Sequence, residues 1–174
     1  MFKQVSIFLS VLVVLISSGH AQDLLPARTD IVYEISADSL YPKNIPQDLS
    51  ISVSNVSNEH IDAFILRLAD IDDVVWTVVS AELDTQPLWL IMSDTRPERN
   101  DILAWEYDQE NKNLKLYPPD KNTAYELTIV LRLNLLKPQG IQARSGKELV
   151  LLAQSGGSLS RCSAKGPGNK LTFR

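Results

Sequence analysis

Residues Thr123 to Leu136 read TAYELTIVLRLNLL. Tyr125, Leu127, Ile129, Leu131, Leu133 and Leu135 fall on one side of an extended chain, and Glu126, Thr128, Arg132 and Asn134 on the other. This period of two marks a half-buried strand. Its apolar face needs a second apolar layer, so the rest of the chain must supply further strands around a shared core.

Upstream lies a hairpin pattern: ILAWEYD, then QENKN, then LKLYPP. Leu103, Trp105 and Tyr107 share one face of the first arm, Leu114 and Leu116 one face of the second, and that face is expected to be core. Further back, Leu49, Ile51 and Val53 alternate with Ser50, Ser52 and Ser54, an apolar and a polar face that argue for antiparallel pairing. Asp30 to Ser36 (DIVYEIS) is an earlier strand, Val74 to Leu83 (VVWTVVSAEL) a β-branched one, and Pro87 to Met92 a short one. His60 to Ile71 fits two periods: Ile61, Phe64, Ile65 and Leu68 are spaced as on a helix that Asn58 would cap, while Phe64, Leu66 and Leu68 alternate as on a strand. Strands on both sides favour the strand. Downstream, Glu148 to Ala153 is another strand, and Leu159 to Ala164 is expected to pair with Lys170 to Phe173 across GPGN as a last hairpin. About ten short strands with closely spaced turns predict an all-β antiparallel sandwich.

The chain opens with Lys3, an apolar run from Val5 to Ile16 and the small-x-small triplet Gly19-His20-Ala21, the pattern of a secretory signal peptide over residues 1–21. The apolar run is about a dozen residues, short of the roughly 20 that span a bilayer, so cleavage is expected over an uncleaved anchor. No later segment is apolar enough to span, and no cysteine follows the run to take a lipid. Residues 22–29, with Pro26, are expected to form a flexible leader, and residues 30–174 one sandwich domain. The destination is periplasmic or secreted. The roughly 150 residues left suit one core. A formal net charge of −4 without basic clustering excludes a nucleic-acid surface. The single cysteine, Cys162, leaves no internal disulfide and fits a small buried residue in a late strand.

The run LKLYPPDKNTAYELTI, Leu114 to Ile129, resembles the penultimate hairpin of bacterial immunoglobulin-like and fibronectin-III-like cell-envelope domains. In that pattern a proline-bearing loop leads to a tyrosine whose hydroxyl bonds back to the loop backbone, the place Tyr125 takes here. DQENKNLKLYP and YPKNIPQDLSISVSN, from Tyr41, are similar to other parts of the pattern. The resemblance covers about a third of the chain, and the chain is longer than the roughly 100 residues usual for one such module. It implies an immunoglobulin-like sandwich and a part in adhesion, envelope architecture or protein binding. A pilus-assembly chaperone carries two such domains, and this chain has length for one.

Catalytic tools are sparse, and no enzyme is expected. HExxH, P-loop and GxSxG patterns are missing, and a catalytic triad would rest on His60, flanked by Glu59 and Asp62. His20, were it the first residue after cleavage, would join His60 in a copper site, but Ala21 is the better cleavage residue. Asp70, Asp72 and Asp73 would offer oxygens to calcium, yet the glycine and the distal glutamate of an EF-hand are lacking. Asn55-Val56-Ser57 is a glycosylation sequon, meaningful only in a eukaryotic secretory route. No cofactor or metal is expected. The aromatics Trp76, Trp89, Trp105, Tyr107 and Tyr117 are expected mainly in the core, with Trp89 no better placed for the surface than the others. Function is then expected to rest on surface contacts with an envelope protein, through loops or an edge strand, for which Leu171, Thr172 and Phe173 are the first candidates. Deleting Lys170 to Arg174 is expected to weaken partner binding while leaving the fold mostly intact. The alternative is glycan binding by an exposed aromatic. Tyr125, Leu127, Ile129, Leu131 and Trp105 are the expected fold-defining core.

Overall fold

The computed structural model describes residues 25–36, 40–68, 74–141, 146–166 and 170–173. Its strands are β1 (Ala27–Ser36), β2 (Gln47–Asn55), β3 (Ala63–Leu68), β4 (Val74–Leu83), β5 (Gln86–Pro87), β6 (Trp89–Met92), β7 (Ile102–Asp108), β8 (Asn113–Tyr117), β9 (Tyr125–Leu135), β10 (Gly146–Ser155), β11 (Ser158–Ala164) and β12 (Lys170–Thr172). A 3-10 turn at Pro138–Gly140 follows β9. The hydrogen-bonded order is β5-β4-β9-β2-β1-β11-β10-β3-β8-β7-β6, with β12 on β10.

β9 lies where its pattern predicts, between β2 and β4. Leu127, Leu131, Leu133 and Leu135 are wholly buried, with Tyr125 and Ile129 nearly so. β2 pairs with it in unbroken register from Gln47↔Leu133 to Asn55↔Tyr125, so Leu49, Ile51 and Val53 join the same buried face while their serines face outward. Phe64, Leu66, Leu103, Trp105, Leu114, Leu116, Leu149 and Leu151, from the β10-β3-β8-β7 half of the path, belong to the same core. Two facing layers around one core make this a β-sandwich. The layers are tied across the core where the Tyr33 hydroxyl donates to the Leu149 carbonyl at 2.6 Å and the Tyr107 hydroxyl to the Val74 carbonyl.

Residues 63–68 form the expected strand. Both of its neighbours are already strands, and Phe64↔Leu116 and Leu66↔Leu114 satisfy it on one side, Ala63 to Leu68 against β10 on the other. The β10–β11 hairpin turns on Gly156 and Gly157, both at positive φ (54° and 80°), with Ser155 opposite Ser158. Two consecutive left-handed residues are what a tight primed turn requires, and glycine adopts them without a Cβ penalty.

Four expectations need correction. The pairing is mixed rather than wholly antiparallel: β1–β11 and β6–β7 run parallel, because neither pair is joined by a tight turn. Most of the chain lies between β1 and β11, and residues 93–101 carry the chain back to the start of β7. The expected leader is partly strand: β1 starts at Ala27, held by Ala27↔Arg161 and Arg28↔Cys162. The tail is not a hairpin with β11, since β11 already has β1 and β10 on its two edges; β12 pairs with β10, Lys147↔Leu171. Leu171 and Phe173 are therefore core residues, 1 % and 0 % exposed, and Phe173 also bridges Leu40. Their apolar side chains give the tail a place inside the sandwich, so they are not presented to a partner as an edge.

Candidate interaction site at the open side of the sandwich

The hydrogen-bonded path ends in the two-residue β5 beside β4 at one end and in β6 at the other, and β4 lies near β6 and β7 at the open side of the sandwich. β5 covers β4 only at Glu82 and Leu83, and Leu88 N–H donates to the Ala81 carbonyl at 2.9 Å before the chain crosses to β6. Among the described residues β6 pairs on one side alone, with β7, Trp89↔Ile102 through Met92↔Trp105. Trp89 N–H donates to Asp101 O and Ser93 N–H to Trp105 O. Ladder alternation turns residues of that parity toward β7 and leaves the amides of Leu90 and Met92 on the free edge.

This edge is also the most apolar exposed stretch. Trp89 is 71 % exposed, Met92 76 % and Ile91 39 %, while Leu90 packs inward. Beside it a cleft of about 570 Å³ is lined by Val75, Thr77, Met92, Asp94, Glu106 and Gln109, with the core tryptophans Trp76 and Trp105 among the residues behind it. A four-residue strand with exposed tryptophan and methionine is short enough to blunt aggregation, yet keeps free ladder groups. In the sequence Trp89, flanked by Leu88 and Leu90, was no better placed for the surface than the other aromatics. Nothing in it reveals that the chain crosses layers just before Trp89, which is what brings that side chain out.

The rim is acidic. Asp94 and Glu106 line the cleft, and Asp108 follows on β7. Glu106 accepts from the Tyr117 hydroxyl at 2.7 Å and, with Asp108, holds Lys115 at 3.4 and 3.3 Å. Burial, then Glu106, Asp94 and Asp108, push the Tyr117 phenol well above its ordinary range. Asp108 accepts from Asn111 N and Nδ2, which with Lys115 pull its carboxyl down to about 2.

The remaining candidates lie elsewhere. His60 is half exposed; Nδ1 is 2.7 Å from Asp120 Oδ1, Nε2 is 3.2 Å from Asp62 Oδ1, and the Arg96 guanidinium lies against the ring. Arg96 also donates to the Ile61 and Asp62 carbonyls, and Ser155 Oγ donates to the His60 carbonyl. The cluster ties the approach to β3 to three loops, and the hydrogen bonds of the ring nitrogens run to carboxylates and a guanidinium, with no hydroxyl nucleophile among them. Among the described residues no group of three or more His, Cys, Asp and Glu is arranged to hold a metal ion. His20, the segment 1–21 and Asp70, Asp72 and Asp73 lie outside the described residues. Cys162 is buried on β11, and burial pushes its thiol up to about 12. In the sequon, Asn55 is buried and its Oδ1 accepts from Ser57 N and Oγ, so its side chain is a turn fastener.

Tyr125 is buried as expected, and burial pushes its phenol up to about 12. The corner pattern is not made, however: its hydroxyl forms no hydrogen bond to the loop backbone and sits near Asn55, opposite it in the β2–β9 register. Trp105 is core, 7 % exposed. No helix among the described residues is long and apolar enough to cross a membrane.

No protein-family model matches the chain, and no curated protein matches it by sequence. Among solved structures it is similar to BcpA, the major pilin subunit of Bacillus cereus (TM-score 0.48, 8 % identity, 82 % of this chain and 39 % of that one). It is also similar to the CBM3a-L domain of the scaffoldin cipA from the Clostridium thermocellum cellulosome (0.46, 12 %, 85 % and 97 %). A third similarity is to ACE19, the collagen-binding subdomain of the Enterococcus faecalis surface protein ACE (0.38, 10 %, 78 % and 94 %). The chain spans about two fifths of the pilin's length. With TM-scores under 0.5 and identities of 12 % or less, these are loose likenesses of strand arrangement and assign no role to this chain.

Proposed function

We propose that this chain is an exported, non-enzymatic binding or structural component of a bacterial cell envelope, periplasmic or secreted, that engages a protein partner through β6. The observation that carries this reading is the outer edge of β6, where Trp89, Ile91 and Met92 are exposed beside ladder groups that no described strand pairs. An edge strand of this kind gives affinity through main-chain hydrogen bonds and selectivity through alternate side chains. The signal-peptide pattern of residues 1–21 and the lack of catalytic patterns support the exported, non-enzymatic part of the reading. The test is a photo-crosslinking amino acid at position 89 or 92 of the tagged chain in its native envelope, with captured species identified by mass spectrometry. A dominant protein adduct from these positions, lost when the crosslinker is moved to the exposed Tyr41, is the expected result. Equal labelling from both sites refutes the reading.

A glycan is the second reading, favoured by Trp89 alone, because a solvent-facing indole of this exposure can cover the apolar face of a sugar ring. Trp76 and Trp105 are buried, so a polysaccharide-induced change in tryptophan emission would report Trp89 and vanish in Trp89→Phe. A flat response across envelope polysaccharides rules it out.

A further inference from the structure

Resting on the β6 reading above, we infer that the partner supplies an extended segment carrying basic side chains, paired along the free edge of β6, with its cations received by Asp94 and Glu106. Two features of the open side converge. The ladder groups of Leu90 and Met92 face outward, which suits a strand and not a helix. The charged side chains lining the adjoining cleft, Asp94 and Glu106, are both acidic. Asp108 adds a third carboxylate close by, and among the described residues Lys115 is the one cation bound to this group. Asp94 is exposed and has no ion-pair partner among the described residues. The site therefore holds an excess of negative charge beside an apolar edge. An extended segment alternates its side chains: one set would cover Trp89 and Ile91, and the other would point across the cleft at the carboxylates. A second copy of the chain fits less well, since a two-fold pairing of β6 strands brings two acidic rims together.

The test is fluorescence anisotropy with the intact mature chain and a labelled peptide of about nine residues, a typical strand length, alternating valine and lysine. Controls carry glutamate for lysine, or proline for alternate valines, since proline cannot join the ladder. The lysine peptide is expected to bind about tenfold more tightly than the glutamate peptide at low salt, with the gap closing as salt screens the exposed charges. The proline peptide should lose about tenfold. Asp94→Asn and Glu106→Gln should each weaken the lysine peptide about two- to fivefold. Met92→Pro deletes an outward amide without touching a bond to β7, so it should abolish binding while thermal unfolding stays unchanged. Equal binding of the lysine and glutamate peptides, no binding of either, or a β6-mediated dimer by sedimentation overturns the inference. If the lysine peptide fails while crosslinking from position 89 still captures a protein, the binding-module reading stands and the basic-strand inference falls. If both fail, both fall.

Discussion

Replacing Phe173 by alanine removes a ring that is 0 % exposed from the residue that directly follows the three-residue β12. Truncation withdraws about 150 Å² of apolar surface from burial, which at about 25 cal/mol/Å² amounts to about 4 kcal/mol. The same figure falls within the range of about 3–5 kcal/mol for a core phenylalanine replaced by alanine. For a domain near 150 residues this lowers the melting temperature by roughly 10 °C. Urea unfolding followed by tryptophan emission is the natural assay, because Trp76 and Trp105 are buried in the core and report global unfolding. The midpoint should fall with the slope unchanged. Leu40 sharpens the test: it is opposite Phe173 and its N–H donates to Thr172 O at 2.9 Å. Leu40→Ala alone should cost about 2–5 kcal/mol, and the double variant should depart from additivity by about 0.5–3 kcal/mol. A loss below about 1 kcal/mol for Phe173→Ala, with additive behaviour alongside Leu40→Ala, would refute the placement of the tail in the core.

Tyr33→Phe removes the bond to the Leu149 carbonyl and should cost about 1 kcal/mol in the same urea experiment; an unchanged midpoint contradicts the cross-layer tie. Asp108, pulled down to about 2 from an ordinary 3.8 first by Asn111, contributes stability that is fully present above about pH 4 and is lost as pH falls through 2. After allowance for solvent screening its share is about 1 kcal/mol. Stability of the native protein should therefore fall more steeply than that of Asp108→Asn between pH 4 and 2, and parallel curves would show that the carboxylate contributes nothing. Burial pushes the Cys162 thiol up to about 12, so Ellman's reagent at pH 8 should leave it unmodified in the folded protein and titrate it at once in guanidinium; fast labelling of the folded state would place the thiol at the surface.

Strands whose two faces differ were legible in the sequence. Leu49 to Val53 and Tyr125 to Leu135 alternate strictly, and a one-residue slip would expose the whole apolar set, so pattern alone locates both strands and their inner face. The hairpin from Leu103 to Leu116 was legible for the same reason. Partner choice was not, because period says which face is buried and not which edge is taken: Leu171 and Phe173 alternate equally well whether paired with β11 or β10. The start of β1 was hidden because Ala27, Arg28 and Thr29 carry no apolar alternation; they are held by backbone pairing to β11 and by Arg28 reaching Asp30 and Glu59. Trp89 was misjudged because exposure of an apolar side chain depends on where the sheet ends, a property of topology. Tyr125 was rightly placed in the core, but its hydroxyl geometry depends on the loop path, which spacing does not determine.

The pairing of β1 with β11 bears on how the chain reaches this fold. The Tyr33 hydroxyl waits for a carbonyl 116 residues downstream, and Arg28 O for a serine 135 residues downstream. Such distant contacts make for slow folding, in milliseconds to seconds rather than microseconds. β1 can pair with β2 early but gains its second neighbour only when β11 has emerged, so no fragment ending before β10 completes the sandwich. At about 5–20 residues per second, synthesis leaves this chain open for several seconds, a window in which a holdase can take it before it closes.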